Sequence, residues 1–164
     1  MTYFATIPSP IGELTLCSDG EALTGLFFST GSKARGADPT WRRDDPQFAE
    51  AANQLKAYFA GELHSFDLLL RPPATPFQSK VLDALLDIPY GQLRSYSDIA
   101  VAVGNPKAVR AVGSANGNNP IAIIIPCHRV VGSDGRLTGF GGGLPTKQFL
   151  LDLESRNSEF QLSN

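Results

Sequence analysis

The sequence predicts an α+β fold, in which a small N-terminal antiparallel sheet with one helix precedes a mainly helical C-terminal domain. Residues 3–28 alternate apolar and polar side chains and are interrupted by turn-forming residues, as in β-hairpins. From residue 75 onward, apolar side chains recur at helical spacing instead. Between these patterns, residues 71–74 contain two consecutive prolines, which cannot continue a sheet. We therefore expect two domains, residues 1–72 and residues 73–164.

Turn-forming residues and one helix define the predicted elements of the first domain. Turns at residues 8–12 and 18–20 separate three short strands. Cys17 lies on the second strand without a histidine or second cysteine nearby, so we interpret it as a packing residue. An Asp-Pro pair at 45–46 is typical of a helix start, and Gly61 of a helix end. We also predict a loop over residues 29–44 and a further strand over residues 66–70.

Capping patterns mark the helix starts of the second domain. The sequences Thr-Pro-Phe-Gln at 75–78 and Ser-Tyr-Ser-Asp at 95–98 both have the spacing of a capping box. The second of these helices ends at Gly104, and an Asn-Pro pair at 105–106 opens the next. A last helix is predicted over residues 147–154, followed by a polar tail that we expect to be frayed.

The two short central helices have the outline of a helix-turn-helix, because a turn containing glycine joins them. The second helix is expected to present Lys107, Arg110 and Ser114 along one face. Its opposite face, expected to pack inward, comprises Ala108, Val109, Val112 and Ala115. A predicted hairpin turn at 132–135, followed by Arg136, resembles the wing that can accompany such a motif.

Composition excludes several classes of function. The chain of 164 residues is 42% hydrophobic, yet no apolar run approaches the roughly 20 residues that span a bilayer, so we expect a cytoplasmic protein. Two cysteines and two histidines cannot supply a disulfide framework or, with one Cys-His pair needed for chemistry, a four-ligand zinc site. The net charge of -2 argues against avid non-specific binding of nucleic acid. Between Arg94 and Arg136, however, five basic side chains face two acidic ones, which allows a local basic surface.

The strongest chemical signal is the segment that contains Cys127. The apolar, mainly β-branched residues 121–125 predict a buried strand, and Pro126 should end it and expose the cysteine. His128 and Arg129 follow directly, and a nearby base or positive charge favours the reactive thiolate. Neighbouring side chains of an extended segment point to opposite sides, so a water would have to bridge Cys127 and His128. A buried, inert thiol beside an ordinary hydrogen-bonded histidine remains the alternative.

A glycine-rich run at 139–143 follows this segment. It lacks the Gly-Lys-Ser/Thr ending of a phosphate-binding loop, so no nucleotide site is predicted. The run is either a flexible turn or a stretch of backbone that a ligand can approach closely.

The Pro-Cys-His-Arg-Val sequence at 126–130 resembles the motif of the O6-alkylguanine-DNA alkyltransferases, also called methylated-DNA-protein-cysteine methyltransferases. The resemblance includes Asn119 and Pro120 before the motif and Gly-Gly-Leu at 142–144 after it. Further matching segments are residues 88–91, 95–96, 110–113, 116–117 and 150–154, and more weakly 9–12 and 57–61. The resemblance implies an RNase H-like N-terminal domain and a winged helix-turn-helix in the C-terminal domain.

The resemblance also implies a stoichiometric, irreversible repair reaction. The thiolate of Cys127 would take the alkyl group from O6 of guanine, or from O4 of alkylated thymine, after the nucleotide is flipped out of the duplex. His128 would act as the base through water, and Glu154 would hold the imidazole. Tyr96 would place its hydroxyl near N3 of the base, and Asn119 would order the turn at the active site. The implied partner is double-stranded DNA that contains alkylated guanine, bound by a monomer without a metal or other cofactor.

By the same resemblance, Arg110 fills the gap left by the flipped base, and its helix lies in the minor groove. The implied DNA-binding residues are Arg110, Lys107, Ser114, Ala111 and Arg136. The implied base pocket comprises Pro126, Val130, Phe140 and Gly141. The chain departs from the family pattern at Phe140, where tyrosine is frequent, and at Leu82, where tryptophan is frequent. The zinc ligands that some members carry in the N-terminal half are missing.

Three other functions fit parts of the sequence. A non-catalytic binder of alkylated DNA would share the fold, but such relatives carry tryptophan in place of Cys127. A Cys-His hydrolase would need oxyanion donors and an orienting Asn or Asp, which are not identifiable. A helix-turn-helix regulator would need an effector or dimerisation domain, and none is evident.

Overall fold

A computed structural model describes residues 1–162, and the side chains as far as Ser158. Its N-terminal sheet has four strands in the order β3-β2-β1-β4. The strands are β1 (Tyr3–Ile7), β2 (Leu14–Ser18), β3 (Leu23–Phe28) and β4 (Arg42–Arg43). The first three strands pair antiparallel as predicted, whereas β4 pairs parallel to β1. The predicted loop over residues 29–44 therefore contains a two-residue edge strand.

One face of this sheet and the helix beside it form the N-terminal part of the core. A turn of 3-10 helix (Asp45–Phe48) leads into α1 (Ala49–Phe59), and Gly61 follows in a left-handed conformation. Cys17 is buried on β2, and burial raises the pKa of its thiol to about 11, which suits a packing residue. The predicted strand over residues 66–70 is wrong, since only Leu70 bridges to β3. The backbone of Asp67 is instead bound by the side chain of Gln54.

The C-terminal part, as far as residue 162, contains four α-helices, which confirms the predicted α+β class. They are α2 (Pro76–Leu86), α3 (Tyr96–Ala102), α4 (Val109–Gly117) and α5 (Leu144–Leu162). Ser95 and Asp98 form the predicted capping box at α3. At α2 only half of the box is present, because Thr75 caps Gln78 while the Gln78 side chain donates to the carbonyl of Asn118. None of the helices in the described part of the chain is long and apolar enough to cross a membrane.

The second helix of the helix-turn-helix begins later than predicted. Asn105 and Pro106 belong to a turn that the Ala108 N–H closes onto the Asn105 carbonyl, and α4 starts only at Val109. Lys107 therefore lies before the helix rather than on its face. Val109, predicted to pack inward, is 37% exposed, whereas the predicted inward residues Val112 and Ala115 are buried.

The wing and the tail also differ from expectation. Strand β6 (Val130–Val131) pairs parallel with β5 (Arg94–Ser95), and the Gly132 N–H after it donates to the Arg136 carbonyl at 2.9 Å. The turn at 132–135 forms, but the chain after it is a loop without a strand. The predicted frayed tail continues α5 as far as Leu162, and only residues 163–164 of it lie outside the described chain.

A single hydrophobic core runs through both parts of the chain. It joins Leu16 and Leu55 of the first part to Leu85, Val112 and Leu150 of the second. The predicted division at residue 72 stays a prediction, because this core is continuous across it.

Candidate active site

Residues 121–125 form a buried series of turns, so the predicted strand is wrong. Only Ile121 makes a bridge to β3, at Leu26. The side chain of Asn119 explains the difference, because its Oδ1 accepts from the Ile121 N–H at 3.0 Å and its Nδ2 donates to the Ile125 carbonyl at 2.8 Å. Both ends of the run are thereby tied together, and the Ile121 N–H and the Ile125 carbonyl are not available to a neighbouring strand.

Ile123, at the centre of this run, has φ of 70°. A β-branched residue in the left-handed region costs on the order of 1–3 kcal/mol, and such outliers cluster at functional sites. The Ile123 side chain is 1% exposed, so its burial offsets the cost. The apolar pattern thus predicted burial correctly and conformation wrongly.

This turn delivers Cys127 into a single turn of 3-10 helix, Cys127–Arg129, at the edge of a cavity of about 40 Å³. The cysteine is only 5% exposed. The cavity walls come from both parts of the chain: Leu26, Phe28, Lys33, Asn119, Phe140 and Gly141 all contribute. Burial raises the pKa of the Cys127 thiol, and a hydrogen bond from Asn119 and the charge of Lys147 offset part of this effect.

Lys147 is a site residue that sequence reasoning missed. Its side chain is fully buried, and Nζ donates to the Val130 carbonyl at 2.7 Å. Burial lowers the pKa of this ammonium group, while the neighbouring Cys127 favours its charge. Its position in the sequence could have indicated that Lys147 is buried. It lies three residues before Leu150 and seven before Glu154, so the three side chains share one helix face. A lysine on an apolar face calls for a buried partner.

His128 and Glu154 form a direct pair in the core. The Nε2 atom of His128 lies 2.6 Å from Oε2 of Glu154, and both side chains are almost fully buried. A carboxylate only accepts hydrogen bonds, so Nε2 carries the proton and Nδ1 of neutral His128 is an acceptor. Nδ1 has no hydrogen-bond partner among the described residues. Burial lowers the pKa of His128, and Glu154 offsets this only in part, so the neutral form is favoured.

Glu154 is held ionised by several donors at once. Arg129 donates from Nε to Oε1 at 2.7 Å and from Nη2 to Oε2 at 3.1 Å, and the Gly91 N–H donates to Oε1. The hydroxyl of Tyr58 donates to Oε2 at 2.6 Å. Burial opposes ionisation, but the hydrogen bonds and charges of His128 and Arg129 outweigh it and hold the pKa of Glu154 well below its usual range.

The remaining expected pocket residues are only partly brought together. The Tyr96 hydroxyl lies 2.6 Å from Oγ1 of Thr138. Phe140 packs against Phe28, with ring centroids 5.5 Å apart. Pro126 lines a separate cavity beside Tyr90 and Arg129 and not the cavity at Cys127. Val130 is buried next to Lys147, and it contributes no wall to the cavity at Cys127.

Phe140 and Gly141 form one wall of the cavity at Cys127, and close packing of Gly31 against residues 141–143 holds this wall in place. The sequence did not predict this contact. The Lys33 N–H donates to the Gly141 carbonyl at 2.9 Å. A Cβ atom on Gly31, which has φ of 92°, would collide with the backbone of residues 141–143. The N-terminal loop and the wall of the cavity can therefore meet only where both lack side chains.

The expected DNA-binding residues are all exposed. Arg110, Ala111 and Ser114 are exposed on α4, and Lys107 is exposed in the turn before it. Arg136 is 84% exposed and pairs with Asp134 at 3.3 Å. Among the described residues, no group of three or more His, Cys, Asp or Glu side chains could hold a metal ion.

Comparison with known proteins gives consistent matches. A model described as 6-O-methylguanine DNA methyltransferase, ribonuclease-like domain matches residues 2–72, and one described as its DNA binding domain matches residues 76–156. Methylated-DNA-protein-cysteine methyltransferase of Methanosarcina barkeri is 53% identical over 155 residues, covering 94% of this chain and 98% of that protein. The Mycobacterium tuberculosis protein of the same name is 50% identical over 165 residues, covering 99% and 98%. The crystal structure of Mycobacterium tuberculosis OGT in complex with DNA matches with a TM-score of 0.89 and 51% identity, covering 94% of each chain.

Proposed function

The chain belongs to the 6-O-methylguanine DNA methyltransferase family, and from this premise we propose that Cys127 is the sulfur that accepts the alkyl group from DNA. The protein is a DNA-binding methyltransferase of DNA repair. The buried pair of His128 and Glu154 supports Cys127 as the acceptor, because it holds a neutral imidazole, which can accept a proton, at the residue that directly follows the thiol. Cys17 has no histidine next to it in sequence.

Transfer begins with loss of the thiol proton. A water relays the proton from Cys127 to Nδ1 of neutral His128, while Glu154 holds the Nε2–H and stabilises the imidazolium that forms. Lys147 and the Asn119 amide favour the thiolate against the cost of burial.

The thiolate then displaces the base. A bond forms between sulfur and the alkyl carbon, and the bond from that carbon to O6 breaks with its electron pair moving to guanine. The Tyr96 hydroxyl, on α3, donates to N3 as negative charge develops on the base. The product thioether is a poor electrophile, so each molecule repairs one lesion.

A buried sulfur cannot reach a base inside a duplex. Cys127 is 5% exposed, so the nucleotide must leave the stack, at a cost of roughly a few kcal/mol. Arg110, exposed on α4, fills the vacated position, and Ser114 and Ala111 of the same helix lie against the minor groove. Lys107, in the turn before α4, and Arg136, after the turn at 132–135, contact phosphate. We also infer a monomer in the cytoplasm, a reducing compartment that suits two free thiols.

Mass spectrometry of the reacted protein tests this assignment. After incubation with duplex DNA that contains O6-methylguanine, the peptide with Cys127 should gain one methylene per molecule, and the DNA should lose it. The peptide with Cys17 serves as an internal control and should stay unmodified. Methyl transfer to Cys17, or transfer that continues beyond one equivalent, would contradict the proposal.

Replacing His128 with alanine should slow single-turnover transfer by about 10²- to 10⁴-fold, because the proton acceptor is lost. The thiol should then react only at higher pH, since nothing near the sulfur assists its ionisation. The measurement is the transfer rate as a function of pH, with thiol alkylation by iodoacetamide followed in parallel. An unchanged pH profile would show that His128 is structural.

A further inference from the structure

Tyr58 joins the N-terminal part of the chain to the proposed proton relay. It lies on α1, it is fully buried, and its hydroxyl donates to Oε2 of Glu154 at 2.6 Å, across 96 residues of sequence. Its ring packs against Phe59, Phe66 and Tyr90 with centroids 5.4, 5.4 and 6.2 Å apart. With aromatic rings on several sides, the hydroxyl cannot swing away from the carboxylate.

The oxygen that Tyr58 contacts is the one that holds His128. Oε2 of Glu154 accepts from the Tyr58 hydroxyl and from His128 Nε2, both at 2.6 Å, and from Arg129 Nη2 at 3.1 Å. Burial, followed by the charge of Glu154, raises the pKa of Tyr58 well above its usual range, so the phenol keeps its proton and remains a donor. A donor on this oxygen reduces the negative charge available to an imidazolium.

The Tyr58 hydroxyl also lies 3.5 Å from Nε2 of His128, and several charged groups act on the same imidazole. Glu154 on α5 favours the imidazolium, whereas Arg129 beside it and Lys147 on α5 oppose it. Cys127 lies one residue away, and Tyr90 packs near Arg129 and Tyr58. Two neutral groups touch the carboxylate directly, the Gly91 N–H at Oε1 and the Tyr58 hydroxyl at Oε2, and the effect of Tyr58 on His128 can be tested by removing one oxygen atom.

We propose that Tyr58 is a positioning residue that keeps His128 in its neutral, proton-accepting form by sharing Oε2 of Glu154 with it. This inference rests on the proposed function, in which the thiol proton moves from Cys127 through water to His128 Nδ1 while Nε2 keeps its own proton. Only neutral His128 can accept that proton. The N-terminal part of the chain, through Tyr58, thereby sets the pH range in which Cys127 of the C-terminal part reacts.

The Tyr58→Phe variant tests the sign of the effect. Without the phenol hydrogen bond, Oε2 carries more charge, the imidazolium is stabilised and the pKa of His128 rises. Transfer needs neutral His128, so the acidic limb of the rate profile should move to higher pH, by about one unit if one charge-assisted hydrogen bond is lost. At pH values on the acidic limb, the transfer rate of the variant should be about tenfold lower than that of the wild type. On the alkaline plateau the two rates should differ little.

The experiment measures single-turnover methyl transfer from O6-methylguanine duplex to Cys127 in the full chain, from about pH 5 to about pH 9. Tyr3→Phe is the matched control, because it removes the same oxygen from a tyrosine of the same sheet domain whose ring lies against Gly20. NMR titration of His128 gives an independent readout, since the chain has only two histidines, His64 and His128. A site-specific 3-fluorotyrosine at position 58, a more acidic donor, should move the limb in the opposite direction.

The outcomes separate the two claims. If the wild type does not methylate Cys127, the proposed function fails. If the wild type transfers normally and Tyr58→Phe has the same acidic limb and the same His128 titration, the role of Tyr58 is overturned, even where the melting temperature falls. A lower melting temperature with an unmoved limb is the signature of a purely structural tyrosine.

Discussion

The Cys127→Ala variant is expected to lose methyl transfer completely while it binds duplex DNA as tightly as the wild type. The sulfur of Cys127 is the proposed acceptor of the methyl group, and the alanine side chain has no atom that can replace it. Cys127 is 5% exposed, whereas the proposed DNA contacts are exposed side chains of α4, of the turn before it and of the loop after β6. The substitution should therefore abolish methyl transfer without changing the affinity for duplex DNA. Binding is measured by fluorescence anisotropy with labelled duplex, and transfer by loss of label from O6-[³H]methylguanine DNA.

The matched control is Cys17→Ala, which removes the other buried thiol. Cys17 lies on β2 with a pKa of about 11, so this variant should transfer at the wild-type rate. Residual transfer by Cys127→Ala would place the acceptor elsewhere. A loss of DNA affinity in that variant would indicate that the cysteine turn supports the DNA-binding surface.

The Arg110→Ala variant is expected to lose about one to two orders of magnitude in the rate of repair of duplex DNA, because the unstacking cost of roughly a few kcal/mol loses its compensation. Reaction with free O6-methylguanine base needs no extrusion and should be nearly unaffected. Single-turnover rates at saturating duplex and with the free base distinguish these outcomes.

Lys107→Ala provides the comparison, since Lys107 is exposed in the turn before α4 and is proposed to contact phosphate. The Lys107→Ala variant should bind duplex DNA more weakly, in a way that depends on salt, and saturating DNA should restore its transfer rate. If Arg110→Ala behaves in the same way, Arg110 also contacts only phosphate. Equal rate losses on duplex and free base would instead place Arg110 inside the reaction pocket.

Features set by neighbouring residues could be predicted from the sequence. The capping box of Ser95 and Asp98 and the buried stripe of α2 depend on contacts within one or two turns, and the structure contains both. The strand over residues 121–125 could not be distinguished from a buried turn, because five apolar residues satisfy either. The Asn119 side chain decides between them through two hydrogen bonds that no apolar pattern reveals.

In the candidate site, too, contacts between neighbouring residues could be predicted from the sequence, whereas contacts between distant residues could not. His128 and Cys127 are adjacent in sequence, so their association was visible, and Glu154 followed from the family resemblance. Lys147 and Tyr58 were counted only as helix residues, because their partners are far away in sequence: Val130 for the lysine and Glu154 for the tyrosine. The parallel pairing of β6 with β5 was missed for a related reason, since the two strands lie more than thirty residues apart in sequence.

The left-handed Ile123 limits how this chemistry can be inherited or transplanted. An excised peptide of residues 119–129 would have no core around the isoleucine, so it would relax to an extended conformation and lose the geometry around its thiol. Grafting the motif onto another scaffold therefore requires the surrounding core as well. Within this fold, new substrate preferences should arise more readily at Phe140, a half-buried wall residue in a loop, than in the turn that carries the cysteine.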